Sequence, residues 1–446
     1  MPEAKTLTPA QQAAPMKCPV NLEDVDLFGP GAQEFWFESY EILHRDAPVF
    51  RIPGQGTTPN HDCFVLTRYE DVARVVRDLG RFPPPRYQQN VLDPDKLAQM
   101  PTFTPQMNAM GASMATLRPN WELWKAHKTQ LTDPWVGSGA PRHTEMVTVA
   151  VNGLIDNWIN RPSREIDFVT EFSAPLPQIV MSNVLGFPLE DMPILKNWGE
   201  AQVKRFVFGK THRNLLTVEE EIEQAQVLGE FSEYVQGIVD MKRKSPGDDM
   251  ISWLCDVTYE ALDRKLTDLE IIGIVYAMHL GGLETTQYAL AEAAQVVAKQ
   301  PEIFTEMKND RSKVRLFVEE ALRYRAPTQG LSTRMTTQDE VFQGVPVPTG
   351  SVLHLRWGAA NLDPNEYECP YEFRLDRAHP GRHVTFSQGL RSCPGAGISR
   401  LEQNIAWNLL CDRINGLEFV EGKNDFAHQP GIMLGTYHLN MRFIPA

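Results

Sequence analysis

Cys393 stands in the stretch "FSQGLRSCPGAG", residues 386–397, where residue types and spacing favour chemistry at a thiol. Gly389 and Gly395 flank it, and glycine-rich backbone allows another group to approach closely. A helix predicted to begin just behind the cysteine would direct its first N–H groups and its positive dipole end at the sulfur, and Arg391 adds positive charge. Both features favour a thiolate, the form of cysteine that binds metals. The spacing alone fits a small core side chain followed by glycine turns equally well.

Glu284 and Thr285 follow 13 uncharged residues inside an apolar segment, residues 268–300, that is predicted to form one buried helix. A buried carboxylate costs several kcal/mol unless it is paired or protonated, so such a residue is more often functional than structural. Gly281 and Gly282 each cost about 1 kcal/mol relative to alanine within a helix. Close approach of a ligand would explain why both are tolerated.

Glu320 and Arg323 lie three residues apart in another predicted helix. The ordinary interpretation of such a pair is a surface ion pair that stabilises the helix by a few tenths of a kcal/mol. Both residues lie opposite the apolar stripe that includes Val314 and Phe317, so periodicity alone favours the surface interpretation.

Together, these segments resemble three motifs of the cytochromes P-450, the haem-thiolate monooxygenases, in the family's order. The family's haem-binding loop is matched at several fixed offsets by Phe386, Gly389, Arg391, Cys393 and Gly395. The segment "GGLETT" resembles the oxygen-activating segment, and "EALR" resembles the Glu-x-x-Arg helix. The resemblance covers residues 265–445 by motif and the N-terminal half only in general shape.

The resemblance implies a cofactor, haem b (iron protoporphyrin IX), with the Cys393 thiolate as metal ligand. It implies insertion of one oxygen atom from O₂ into a C–H bond, by hydroxylation or O-dealkylation, with Glu284 and Thr285 as the catalytic proton relay. Thr285 either bonds back to an earlier carbonyl or bonds to dioxygen, and either role needs a locally opened helix. The implied fold is mainly α with small β-sheets, the cytochrome P-450 fold, with a long central helix crossing the domain.

Basic residues are implied in two roles. The ion pair Glu320–Arg323 should be buried beneath the haem loop and joined by a third basic residue, for which Arg377 is the candidate. Arg334, His383 and Arg391 match positions that hold the haem propionates by charge-assisted pairing. In place of the family's Trp-x-x-x-Arg element the chain has "WELWKAHKTQL", where the residue facing the haem is one of Lys125, His127 or Lys128.

The substrate contacts are predicted to be largely apolar and rich in methionine, which indicates a small to medium hydrophobic substrate such as a terpenoid, a steroid or an aromatic compound. The predicted contacts are Met107, Met110, Ala277, Leu280, Gly281, Leu331, Ile432 and Met433.

The elements that must position these residues follow from periodicity and turn signals. Helix and strand alternate over residues 35–83, a long loop is predicted for residues 84–118, and residues 143–243 are mostly helical. Short strands follow residue 332. We expect a flexible leader, residues 1–20, and one domain, residues 21–446.

Composition excludes several functional classes. With 43 Lys and Arg against 57 Asp and Glu, the net charge of −14 argues against nucleic-acid binding. The longest uncharged apolar stretch has 13 residues, against about 20 for a membrane span. The N-terminus lacks the pattern of a secretory signal, so a cytoplasmic location is expected. The six cysteines include no Cys-x-x-Cys, so neither a zinc site nor a disulfide framework is predicted.

Electrons are expected from a separate ferredoxin or flavodoxin with its reductase, because the chain shows no nucleotide-binding fingerprint. The partner should dock on the Cys393 side. Two alternatives remain: a peroxide-driven haem-thiolate peroxygenase, against which the Glu284–Thr285 pair argues, and a non-enzymatic haem sensor.

Overall fold

The computed structural model describes most of the chain. The described residues are 17–29, 31–58, 60–84, 109–207, 209–210, 213–214, 217–330, 332–429 and 431–446. Helices account for 56% of the structure, and the strands form small sheets, so the predicted mainly α class is confirmed.

The helices run through the whole described part of the chain. They are α1 (Trp36–Asp46), α2 (Tyr69–Arg77), α3 (Ala109–Leu117), α4 (Trp121–His127), α5 (Asp133–Val136), α6 (Thr144–Asp156), α7 (Pro175–Leu185), α8 (Met192–Val207), α9 (Val218–Lys244), α10 (Met250–Asp256), α11 (Asp268–Gly282), α12 (Glu284–Lys299), α13 (Pro301–Asn309), α14 (Ser312–Tyr324), α15 (Trp357–Ala360) and α16 (Ala396–Arg413). A π-helical turn, Lys128–Thr132, joins α4 to α5.

The strands form small, separate sheets. They are β1 (Val49–Ile52), β2 (Cys63–Leu66), β3 (Glu165–Asp167), β4 (Gly209–Lys210), β5 (Arg213–Asn214), β6 (Thr258–Tyr259), β7 (Arg264–Lys265), β8 (Thr333–Met335), β9 (Glu340–Phe342), β10 (Val345–Val347), β11 (Val352–Leu355), β12 (Ile414–Phe419) and β13 (Asn440–Pro445). The largest sheet among the described residues has the order β1-β2-β11-β8, with β2 and β11 parallel and the other pairs antiparallel. A second sheet has the order β12-β13-β3.

The central helix differs from its prediction because it is two helices. Thr267 accepts from the Glu270 N–H at 3.3 Å and Glu270 accepts from the Thr267 N–H at 2.9 Å, which is the predicted capping box at the start of α11. The predicted single helix over residues 268–300 is wrong at Leu283, which separates α11 from α12. The break lies one residue before Glu284.

Helix α3 corrects the loop that was predicted for residues 84–118. Its sequence, "AMGASMATL", is small and apolar on all sides, so it shows no helical periodicity. It lies across α11 at Gly273, where a β-carbon would overlap Ser113 and come within 2.5 Å of the Ala109 carbonyl oxygen. Residues 85–108 of the predicted loop lie outside the described residues.

The main core packs the helices around α11, α12, α14 and α16, and a second cluster of buried side chains backs the four-stranded sheet. In the part of the chain that the structure describes, no helix combines the length and the apolar character that crossing a membrane requires.

Candidate functional site

Cys393 is held in a loop whose shape is set by short-range backbone hydrogen bonds. The Cys393 N–H donates to the Phe386 carbonyl at 2.8 Å, and the Ser392 N–H donates to the Gly389 carbonyl at 3.1 Å. Gly389 has a φ of +71°, a left-handed conformation that glycine adopts without strain. A β-carbon there would lie 3.4 Å from the Val76 carbonyl oxygen of α2. The left-handed turn, rather than the contact with α2, therefore explains the glycine at position 389.

The thiol of Cys393 is both accessible and deep in the protein. The side chain is exposed, yet burial is the largest influence on the pKa of the Cys393 thiol and raises it. The N–H groups of Gly395 and Ala396, at the start of α16, act in the opposite direction, as do the cations of Lys128 and Arg400. The side chain is therefore accessible although many protein atoms lie around it. The predicted helix behind the cysteine begins at Ala396.

Lys128 is the member of "WKAHK" that contacts this loop. Its Nζ donates to the Ser392 hydroxyl at 2.5 Å and to the Ser392 carbonyl at 3.1 Å. His127 is buried, and burial together with the charge of Arg118 lowers its pKa to about 3, so it is neutral at pH 7. Lys125 makes no ion pair within the described part of the chain. Of the three, Lys128 is therefore the residue that supplies a cation near Cys393.

The sequence predicts that the charge of Arg391 lies beside the Cys393 thiol. In the structure, Arg391 instead lies in a group of arginines. The guanidinium groups of Arg391 and Arg118 lie 4.2 and 4.7 Å from the ring centroid of Trp124. Burial lowers the pKa of Arg391, Arg118 and Arg334 to about 10, and the charge of Arg391 contributes to the lowering for the other two. Arg334 is 4% exposed.

These three arginines form no ion pair with any carboxylate among the residues that the structure describes. Three partly or fully buried cations that repel one another are costly unless an anion joins them. The two propionates of a bound haem would supply such an anion, and the accessible Cys393 thiol would supply an iron ligand. The residues present therefore fit the predicted cofactor.

Arg118 was not predicted from the sequence. It precedes Pro119 and the helix cap Asn120, in a stretch without periodicity that was predicted to be a loop. The only local indication in the sequence was that Arg118 lies six residues before Trp124, whose ring both Arg118 and Arg391 contact in the structure. This spacing becomes informative only once it is known that Arg391 also contacts the Trp124 ring.

His383 does not belong to the arginine group. Its Nε2 lies 3.0 Å from Oε2 of Glu319, whose two carboxylate oxygens also accept from Arg400 at 2.6 and 2.9 Å. Burial alone would raise the pKa of Glu319, but His383 and Arg400 lower it to about 2. This contact accounts for Nε2, whereas Nδ1 of His383 is buried without a hydrogen-bond partner among the described residues, so the propionate role of His383 stays a prediction.

Glu320 and Arg323 are buried, each with 1% exposure. Arg323 donates from Nε and Nη2 to the two oxygens of Glu320 at 2.8 and 2.7 Å. Arg377 donates to the same carboxylate at 2.8 Å. Arg323 also donates to the carbonyl of Asn361 at 2.9 Å, and the Asn361 side chain accepts from the Val384 N–H at 2.8 Å. The ion pair thus supports the segment that leads into the Cys393 loop.

Thr285 bonds back across the break between α11 and α12. Its hydroxyl donates to the Gly281 carbonyl at 2.9 Å. Gly281 is exposed, and a β-carbon on it would meet nothing within 4 Å, so this side of α11 faces open space. Gly282 instead lies against Met181, where a β-carbon would come within 2.7 Å. Of the two adjacent glycines, Gly281 is the one that leaves room for a ligand.

Glu284 is half-buried at the start of α12 and accepts a hydrogen bond from the Tyr288 hydroxyl at 2.8 Å. The carboxylate that would be costly without a partner is therefore paired. The helix break also places it in the first turn of α12, where a negative charge is stabilised by the helix dipole.

One side-chain contact joins the helix break to the helix behind Cys393. The Thr286 hydroxyl, next to Thr285, donates to the Ser399 hydroxyl at 3.0 Å, and both residues are buried. Ser399 lies six residues after Cys393 in α16. The two segments with predicted chemistry are therefore neighbours in the fold.

The predicted substrate contacts fall into three groups. Met110, Ala277, Leu280 and Gly281 are partly or fully exposed. Ile432 and Met433 are buried against Tyr288, with Leu280 packed on the same cluster, so they back the site. Met107 and Leu331 lie outside the described residues.

Comparisons with known proteins identify the family. The family model for cytochrome P450 matches residues 56–413. The polyketide biosynthesis cytochrome P450 PksS of Bacillus subtilis is 25% identical over 92% of this chain and 96% of its own length. The 6-deoxyerythronolide B hydroxylase of Saccharopolyspora erythraea is 25% identical over 91% of this chain and 96% of its own.

Solved structures show the same fold. P450BioI, in complex with an acyl carrier protein that carries hexadec-9Z-enoic acid, superposes with a TM-score of 0.77 at 22% identity over 92% of this chain and 99% of its own. CYP108D1 from Novosphingobium aromaticivorans superposes with a TM-score of 0.74 at 22% identity over 94% and 97%. The chain therefore belongs to the cytochrome P450 family, and it is an oxidoreductase whose cofactor is haem.

Proposed function

We propose that this protein is an O₂-dependent monooxygenase that inserts one oxygen atom into a C–H bond of a small to medium hydrophobic substrate, by hydroxylation or O-dealkylation. The observation that carries the proposal is the contact between Thr286 and Ser399, because it joins the Glu284–Thr285 segment to the helix behind Cys393. Bound haem with a thiolate ligand supplies the activation of O₂.

Cys393 holds the iron. The N–H groups at the start of α16, with Lys128 and Arg400, stabilise the thiolate against the effect of burial. Arg118, Arg334 and Arg391 hold the propionates.

Glu284 and Thr285 hold and move protons. Thr285 rests on the Gly281 carbonyl in this structure and can exchange that bond for one to a bound ligand. Glu284, partly exposed at the break, exchanges protons with the open side of α11. Retention of this acid–hydroxyl pair favours O₂ chemistry over the peroxide-driven alternative and over a haem sensor.

The substrate meets Met110, Ala277, Leu280 and Gly281. These groups are apolar and adaptable, which favours a hydrophobic substrate. The name of PksS refers to polyketide biosynthesis, so polyketide-like molecules join steroids, terpenoids and aromatic compounds as probes. A separate ferredoxin or flavodoxin with its reductase supplies electrons and docks on the Cys393 side.

The first test is the carbon monoxide difference spectrum of the dithionite-reduced protein beside a Cys393→Ser variant. We expect the strongly red-shifted Soret band of thiolate ligation, and its loss in the variant. Cys411→Ser changes a buried cysteine within α16 and should keep the band. A histidine-type band in the parent protein would contradict the assignment of Cys393.

The second test is the fate of ¹⁸O₂ during turnover with ferredoxin, its reductase and NADPH, using probes that shift the haem spin state. One ¹⁸O atom in the product supports a monooxygenase. Spin-state shifts without any product, in parent and Thr285→Ala alike, would favour a sensor.

A further inference from the structure

Tyr288 lies one helical turn after Glu284 and makes contacts that the proposed chemistry does not yet use. Its hydroxyl is 2.8 Å from Oε2 of Glu284 and 3.1 Å from the side-chain oxygen of Gln429. Gln429 belongs to the segment before β13, so the phenol links α12 to a part of the chain 141 residues away.

The ring of Tyr288 is fixed on several sides. Tyr288 is 2% exposed and packs with Ile432, Met433 and Leu280. Gly435 lies against the ring so closely that a β-carbon there would come within 2.7 Å of Cε1 and Cζ. Because the side chain is packed on these sides, the position of its hydroxyl is set by the fold.

The Tyr288 hydroxyl has one hydrogen to donate, and the acceptor strengths of Glu284 and Gln429 determine which of them receives it. Burial, followed by the charge of Glu284, raises the pKa of Tyr288 well above its usual value, so the phenol stays neutral and donates. An ionised carboxylate accepts more strongly than an amide oxygen. With the amide of Gln429 turned so that its NH₂ group faces the phenol, one chain of donors runs from Gln429 through Tyr288 to Glu284.

We infer that Tyr288, oriented by Gln429, is the positioning residue that holds the Glu284 carboxylate ionised and in one orientation at the helix break. The inference rests on the proposed function, in which Glu284 moves protons. A carboxylate that loses this donor is held less firmly in one orientation and binds its proton more tightly. Glu200 and Tyr437 are the other titratable groups that act on the phenol.

The first experiment needs no turnover. Infrared difference spectra of the substrate-free ferric protein across pH, with Glu284→Gln to identify the band, follow protonation of the Glu284 carboxyl. Tyr288→Phe keeps the ring and removes the donor. We expect the midpoint to rise by about one pH unit, because a hydrogen bond to a charged group is lost.

The matched control is Tyr234→Phe. Tyr234 donates to the carboxylate of Asp191 at 2.8 Å, the same distance, between α9 and the start of α8. This variant should leave the Glu284 midpoint unchanged. Gln429→Leu tests the same chain without altering the ring and should raise the midpoint by a smaller amount. An unchanged midpoint in both Tyr288→Phe and Gln429→Leu would overturn the inference.

The second experiment measures hydrogen peroxide released per NADPH in substrate-free turnover with ferredoxin and its reductase. O₂ with two electrons and two protons leaves as hydrogen peroxide, whereas four electrons and four protons give two waters. Slower proton delivery favours peroxide, so Tyr288→Phe should raise the ratio about twofold or more. The carbon monoxide spectrum should be unchanged.

Two outcomes separate the inference from the function it rests on. If Glu284→Gln releases as little peroxide as the parent protein, the proton role of Glu284 is wrong and the inference fails with it. If Glu284→Gln releases more peroxide but Tyr288→Phe does not, the role of Glu284 stands and only that of Tyr288 is overturned.

Discussion

The Cys393 loop and the break between α11 and α12 are held in shape in different ways. In the loop, Cys393 and Ser392 pair with backbone carbonyls only three to seven residues away. At the break, Thr286 bonds to Ser399, which is 113 residues away, and Tyr288 reaches Gln429 across 141 residues.

This difference explains why the Cys393 loop forms a recognisable sequence motif, whereas the break between α11 and α12 does so only in part. A loop closed by its own backbone needs particular residues at fixed offsets, so its pattern survives in a short string. A helix break stabilised by remote side chains leaves few local signs. We therefore expect the two regions and the residues that support them to respond differently to substitution, and four experiments test this expectation.

The largest effect is expected from Arg323→Ala, which removes the support beneath the loop. The variant leaves the Glu320 carboxylate and the carbonyls of Asn361 and Pro370 without their main donor. Removing one partner of a buried ion pair costs about 3–5 kcal/mol of unfolding free energy, which urea titration measures.

Arg311→Ala is the control for that experiment. Arg311 pairs with Asp412 at 2.7 Å on the surface, and its loss should cost less than about 1 kcal/mol. If Arg323→Ala is equally mild, the loop is independent of its support and the contrast between the regions becomes sharper.

Two glycines of α11 are expected to respond in opposite ways. Gly273→Ala places a methyl group against the backbone carbonyl of Ala109 and the side chain of Ser113, and should cost about 1–3 kcal/mol. Gly281→Ala points into open space and should leave the unfolding free energy equal or slightly higher, because alanine favours the helix.

Thermal unfolding of the two glycine variants measures this difference. The Gly281 variant should weaken spin-state shifts by hydrophobic probes despite its stability. Equal stabilities would mean that α3 can move away from α11.

The cluster next to the break should make stability depend on pH. His428 lies 2.9 Å from Oε2 of Glu34 and 3.4 Å from Oε1 of Glu292, with Arg325 also on Glu292. Burial opposes protonation, but the two carboxylates raise the pKa of His428 to about 9. Because the pKa of His428 is higher in the folded protein than in the unfolded chain, its protonation stabilises the fold fully at pH values below the unfolded-chain pKa. This stabilisation is lost as pH rises towards 9 and beyond.

The contribution of His428 at neutral pH is on the order of 2 kcal/mol. The parent protein should therefore lose unfolding free energy between about pH 6.5 and 9.5, and His428→Gln should lose less across the same range. Parallel curves for the two proteins would show that His428 is not charged in the fold.

The smallest effect is expected from Arg391→Gln, which removes one of three mutually repelling cations. Haem affinity, measured by transfer to apomyoglobin, should fall about tenfold, because one charge-assisted bond is lost. Apoprotein stability should stay equal or rise, since repulsion on Arg118 and Arg334 is relieved.

Arg382→Gln breaks a more exposed pair with Glu366 and should leave haem affinity unchanged. If Arg391→Gln destabilises the apoprotein, the arginine group has a protein partner and the account of its unpaired charge is wrong.

Much of the fold and part of the candidate site could be predicted from the sequence. The capping box at Thr267 and the start of α16 follow from local patterns, and both lie where expected. The break at Leu283 could not be predicted, because nothing in an apolar helical pattern indicates the residue at which the helix will be interrupted. Helix α3 was missed because a helix without a polar face has no period.

By itself, the sequence determined the type of chemistry and the elements that carry it: a cysteine before a helix, an acid–hydroxyl pair within a buried segment, and a Glu-x-x-Arg pair. These depend on spacings of a few residues, which backbone geometry converts directly into position. Only the tertiary structure decided that Glu320 and Arg323 are buried, that His383 belongs to Glu319, that Arg118 joins Arg391, and that Tyr288 holds Glu284. Those choices depend on which distant segments pack together, because burial and charge pairing are set by neighbours in space rather than in sequence.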